Sequence, residues 1–82
     1  MSVTYFVALP FVHDEEGQFA IGQAQECTNE PSAIRRAEAM SRQQPNVGAV
    51  AFKRTGEPSQ GNFGDAVVLQ RFGDTPDRLD EF

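Results

Sequence analysis

The chain reads as an α+β domain of ββαββ order, a four-stranded antiparallel sheet (strand order 2-1-3-4) with one helix on one face. Three observations predict this. Val3–Val12 is apolar at both its odd and its even positions, as expected of a central strand covered on both sides rather than one with a wet face. The stretch from Thr28 to Pro45 carries helix start and stop signals around an apolar stripe. On either side of that helix, two apolar runs are separated by turn residues, the pattern of a hairpin.

In the first run, Val3, Tyr5, Val7, Leu9 and Phe11 share one face, and Thr4, Phe6, Ala8, Pro10 and Val12 the other. Pro10 cannot donate to a ladder, so it is expected near the strand end, at a bulge or past the last paired residue. His13-Asp14-Glu15-Glu16-Gly17 reads as a turn closed by a glycine at positive φ. The chain then returns from Gln18 to Cys27 as an edge strand, with Phe19 and Ile21 on one face and Ala20, Gly22, Ala24 and Glu26 on the other.

Thr28 or Asn29 suits a helix cap, with Glu30 complementing the dipole and Pro31 in the first turn. The helix is expected to reach about Gln44, because Pro45 disfavours helical geometry in the residue before it. Ala33, Ile34, Ala37 and Met40 form its apolar face, and Glu38 and Arg42 an i,i+4 pair. Residues 46–54 read as a third strand, 55–64 as a loop and 65–72 as a fourth strand that pairs with the third. The domain spans residues 1–73. The acidic tail, 74–82, is expected to be disordered or loosely docked.

The chain has 82 residues, room for a single small core of marginal stability. Cys27 is the only cysteine and His13 the only histidine, which excludes an internal disulfide and a Cys/His zinc site within one chain. No cofactor or metal is expected. There is no signal-peptide pattern, and no apolar run approaches the roughly 20 residues of a membrane span. One lone thiol suits a reducing compartment, so a cytoplasmic protein with no membrane partner is expected.

The net charge of −5 is unevenly placed. Residues 1–31 hold Asp14, Glu15, Glu16, Glu26 and Glu30 and no Lys or Arg. Residues 32–71 hold Arg35, Arg36, Arg42, Lys53, Arg54 and Arg71 against Glu38, Glu57 and Asp65. An acidic first hairpin therefore precedes a basic middle, a pattern of solvated faces that also suits steering between two copies or toward an anionic partner. RNA or single-stranded DNA binding through that basic middle, with Tyr5, Phe6 and Phe52 as stacking rings, is an alternative. The acidic turn and tail oppose phosphate, and the aromatics sit in aliphatic runs, so nucleic acid is disfavoured.

The acidic turn around His13 lacks a second histidine to select a metal. Cys27 with His13 as base would need two groups that one hairpin places roughly 25–30 Å apart at about 3.3 Å per residue. The three glycines of the 55–64 loop lack the Gly-Lys-Ser/Thr ending of a phosphate loop and lead into a strand, not a helix.

The segments Ala33-Ile34-Arg35-Arg36-Ala37-Glu38-Ala39, Val47-Gly48-Ala49-Val50-Ala51-Phe52 with Arg54-Thr55-Gly56-Glu57-Pro58, and Asp65-Ala66-Val67-Val68-Leu69 through Arg71-Phe72-Gly73 resemble a group of short uncharacterised bacterial proteins. The resemblance covers residues 3–76 and implies a small stand-alone α+β domain with no assigned activity or catalytic residues.

One short helix shelters one sheet face, and the strands offer two apolar faces. The expected function is therefore a non-enzymatic interaction module, a homodimer formed through the open face or a surface for another protein. Its candidate residues are Tyr5, Phe6, Arg35, Arg36, Phe52, Arg54, Phe63 and Arg71. The alternative from another class is small-ligand binding or catalysis at a dimer cleft near the 55–64 loop, rimmed by Arg54, Glu57, Phe63 and Asp65.

Overall fold

The computed structural model describes residues 2–57, 59, 61–64 and 66–77, with the backbone alone at 62 and 63. It is α+β, with strands β1 (Val3–His13), β2 (Phe19–Ile21), β3 (Gln25–Cys27), β4 (Gly48–Glu57), β5 (Asn62–Phe63) and β6 (Val67–Gly73), and helix α1 (Glu30–Ser41) between β3 and β4. All pairings are antiparallel. In the sheet, β1 and β4 lie at the centre, β2 and β3 flank β1, and β5 and β6 flank β4. The class and the central strand are as predicted. The sheet differs in detail, because the expected second strand is split into β2 and β3 and a short β5 turns part of the expected loop into a hairpin.

Pro10 explains the split. It is not at the strand end but faces Ala49 within the β1–β4 ladder. Its carbonyl accepts from the Gly22 N–H at 2.9 Å. A residue in an antiparallel ladder sends its N–H and C=O to the same neighbour, so the N–H that Pro10 lacks would have faced the second strand. Pairing fails there, and the chain passes Gly22–Ala24 before resuming. A Cβ at Gly22 would lie 3.0 Å from Pro10 Cγ, so glycine makes room for the ring.

The break changes which side chains share a face. Phe11 faces Ile21 and Val7 faces Glu26, so four residues on β1 span five on the returning chain. The extra residue reverses the alternation. Glu26 therefore joins the face of Phe19 and Ile21 instead of the opposite one. A second irregularity lies in β6: Ala51 faces Gln70 but Phe52 faces Val68. Leu69 is the extra residue, and Phe72, opposite Ala49, ends up on the face opposite Val68.

The helix begins as predicted. Asn29 caps it by accepting from the Ser32 N–H at 2.8 Å, with Glu30 and Pro31 in the first turn. It ends at Ser41, three residues before Gln44, with Arg42 as C-cap. The Asn46 side chain donates to the Met40 carbonyl at 2.9 Å and occupies one of the orphan groups there. Arg42 and Glu38 approach to 3.7 Å on the exposed side. Ala33, Ala37 and Met40 bury against Ala8, Ala49 and Ala51, with Phe6, Cys27, Ile34, Leu69 and Phe72 packed around them. This layer is built of alanines, which lets the helix lie close to the strands.

Phe11 and Val50 are also fully buried, yet they belong to the opposite face. Among the described residues, Phe19 packs on Phe11 and the chain after β6 crosses the same face. Gly73, at φ +70°, turns the backbone, and the Asp74 N–H donates to the Val47 carbonyl at 2.9 Å. A Cβ on Gly48 would fall 2.1 Å from the Asp74 carbonyl oxygen, so the strap crosses the sheet directly over Gly48. Arg71, opposite Val50 on this face, donates to the Pro76 carbonyl at 2.6 Å and to the Asp77 carbonyl at 3.4 Å. Pro76 is buried. The described part of the acidic tail, Asp74–Asp77, is thus a docked strap, and residues 78–82 lie outside the described residues.

Candidate functional site

Register places Tyr5, Val7, Leu9, Phe11 and His13 of β1 on the face away from the helix, with Gly48, Val50, Phe52 and Arg54 of β4 beside them. Val68 and Arg71 extend this face on β6, and Ile21, Phe19 and Glu26 on β2 and β3. It divides into two zones. In the first, the strap, Phe19 and His13 gather around Phe11 and Val50. Phe11 and Phe19 meet edge to face with ring centroids 6.2 Å apart, and the His13 ring lies 5.0 Å from Phe19. His13 Nε2 approaches Asp74 Oδ2 at 3.5 Å, tying the end of β1 to the strap.

In the second zone Tyr5, Val7, Leu9, Phe52 and Val68 are only half-buried, and no helix among the described residues lies over them. Their edges are wet: Ile21 is 50% exposed, and Glu26 and Arg54 are exposed. A Tyr, two Phe-sized or leucine-sized side chains and two valines thus form an apolar area with, among the described residues, one acid and one base at its rim.

The structure gathers part of the predicted set here. Tyr5, Phe52 and Arg54 share the open face. Arg71 is on it too, but its guanidinium holds the strap. Phe6 faces the other way and packs on the helix core. Arg35 and Arg36 lie exposed on α1, on the far side of the molecule from the open face. Phe63 pairs through its backbone with Gly56, while its side chain and all of Asp65 lie outside the described residues. Sequence reasoning missed Glu26, Val68 and Leu9. The signal for Leu9 was present in the alternation of β1, whereas Glu26 and Val68 owe their places to the two register shifts.

Other candidate chemistry resolves into structure. Asp14 Oδ1 accepts from the N–H groups of Glu16 at 2.9 Å and Gln18 at 3.0 Å, and Gly17 takes φ +81°, so the acidic segment organises its own turn. Among the described residues no group of three His, Cys, Asp or Glu side chains stands ready to hold a metal ion. Cys27 faces Phe6, seven residues along β1 from His13, or roughly 23 Å at about 3.3 Å per residue, and packs toward the helix core. An open depression of about 330 Å³ lies at Gln23, Ala24 and Gln25, where the second strand is interrupted; its lining is polar and it is remote from the 55–64 segment. No helix among the described residues is long and apolar enough to cross a membrane. No family model matches the chain, and neither do any of the curated proteins or solved structures compared with it.

Proposed function

We propose that this protein is a self-associating interaction module in which a second copy packs on the half-buried zone of the sheet face opposite the helix. One observation carries the reading. Tyr5, Val7, Leu9 and Phe52 of the two central strands point away from the helix, while Ala8, Ala49 and Ala51, with Phe6 beside them, point toward it. Fully burying a side chain of the Val, Leu or Phe class is worth about 1.5–3 kcal/mol, so completing the burial of this zone supplies a driving force. A second copy supplies a surface of the same shape and chemistry, as a two-fold interface requires.

The test is sedimentation at about 10 μM, with Val68→Glu as the control that places a charge in the zone. Val68 is half-buried at the sheet edge, so the fold tolerates the change. The wild-type chain is expected near twice its 9.0 kDa mass and the variant near the single-chain mass. A wild-type chain that stays at single mass up to about 100 μM, where even a weak interface of about 5.5 kcal/mol is half-filled, overturns the reading.

A further inference from the structure

The zone is electrically lopsided, and this bears on how two copies meet. Resting on the self-association reading, we infer that the two-fold axis of the pair runs along the strands over β1, so that Glu26 of each copy meets Arg54 of the other. Glu26 sits opposite Val7 on β3, and Arg54 sits opposite Tyr5 on β4. These two strands flank β1 on opposite sides, each about 4.8 Å from it. Val7 and Tyr5 are two residues apart, so the two charges are offset along the strand by only about 7 Å.

Consider the ways of laying two such sheets face to face. A two-fold axis along the strands exchanges left and right, which brings the β3 side of one copy above the β4 side of the other. Acid then faces base, and the symmetry makes the contact twice. A two-fold axis across the strands keeps left over left and right over right, which sets Glu26 above Glu26 and Arg54 above Arg54. Like charges opposed at the rim of an apolar patch disfavour that arrangement. Packed sheets lie about 10 Å apart, a gap that a glutamate and an arginine reaching toward each other cross.

The strap sharpens the choice. Among the described residues Arg71 is the other arginine on this face, but it is bonded to the carbonyls of Pro76 and Asp77. Arg54, exposed at the far end from the strap, is then the described base left for a partner's carboxylate. The strap also occupies the Gly48 end of β4, so a second copy is confined to the Tyr5–Val7–Phe52 end, where both charges lie.

The experiment is a charge exchange read by sedimentation at low and high salt. Glu26→Arg and Arg54→Glu, both at exposed positions, are each expected to weaken the dimer about tenfold, from two rim pairs at the upper part of their usual worth. The double variant restores the pairing with its signs exchanged and is expected within about threefold of wild type. The wild-type dimer and the double variant both weaken as salt rises. A double variant no tighter than the weaker single variant overturns the axis while the self-association reading stands. A wild-type chain that never associates overturns both.

Discussion

Helix α1 seals its side of the sheet with fully buried Ala8, Ala33, Ala37, Ala49 and Ala51, and needs nothing larger than Met40 in the innermost layer. On the other side, the same two strands present Tyr5, Val7, Leu9, Phe11, Val50 and Phe52; among the described residues Gly73–Asp77 crosses one end of this face and Phe19 packs on Phe11 there. Small residues and a regular element make the centre of one face dense, with Phe6, Ile34, Leu69 and Phe72 half-buried around it. Large residues and a strap make the other uneven, fully buried at Phe11 and Val50 and half-buried at Tyr5 and Phe52. A dense centre on one face and an uneven cover on the other are what distinguish the two sides of the sheet.

The harshest way to break this comparison is to take the strap's seat away. Gly48→Ala adds a Cβ that would stand 2.1 Å from the Asp74 carbonyl oxygen and 2.6 Å from its nitrogen, both backbone atoms that cannot swing aside. The strap must lift, uncovering Phe11 and Val50. The expected loss is about 3 kcal/mol in chemical denaturation, at the upper end of ordinary single substitutions. A loss below about 0.5 kcal/mol would mean that the strap contributes nothing to the covered face.

Next in size is enlargement on the helix side. Ala37→Leu pushes several methylenes into a layer with no free space, since Ala37 and its neighbours Ala8 and Ala51 are fully buried. Overpacking of this kind costs about 1–3 kcal/mol. Leu9→Ile, a swap on the half-buried face, is expected to cost under about 1.5 kcal/mol, because its surroundings can give. Equal losses by thermal unfolding would contradict the contrast between the two faces.

Much of this was legible in the residues. The cap at Asn29, the alanine stripe of α1 and the place of β1 inside the sheet follow from local chemistry that acts within a turn or two of chain. What escaped depends on single-residue register shifts. Pro10 was expected near the strand end, at a bulge or past the last paired residue, because a missing N–H is easiest to place there. Instead the neighbouring strand breaks around it, and the one-residue slip delivers Glu26 to the open face. Leu69 does the same for Val68 and Phe72 on β6. The strap was hidden for another reason. Its hold on the sheet comes from Arg71 reaching two backbone carbonyls and from the absence of a side chain at Gly48, and neither leaves a hydrophobic or periodic mark in the sequence.

The gentlest change separates the strap from the rest of the fold. Arg71 donates from one nitrogen to the Pro76 carbonyl at 2.6 Å and from another to the Asp77 carbonyl at 3.4 Å, and Arg71→Gln shortens the side chain out of reach of both. The arginine is exposed, so water compensates much of the loss, and the global cost is expected to be about 1 kcal/mol. The local effect is the informative one. Segments with few buried contacts open before the core does, so amide exchange at Asp74, whose N–H rests on Val47, is expected to accelerate about fivefold, a factor matching that cost. Exchange at Ala51, in the centre of the sheet, follows global unfolding instead, and its acceleration should track the stability measured by denaturant. Protection at Asp74 as strong as that at Ala51 in the unsubstituted chain would mean that strap and sheet open together, and the uneven face would then be part of one cooperative unit rather than a stable sheet with a separately held cover.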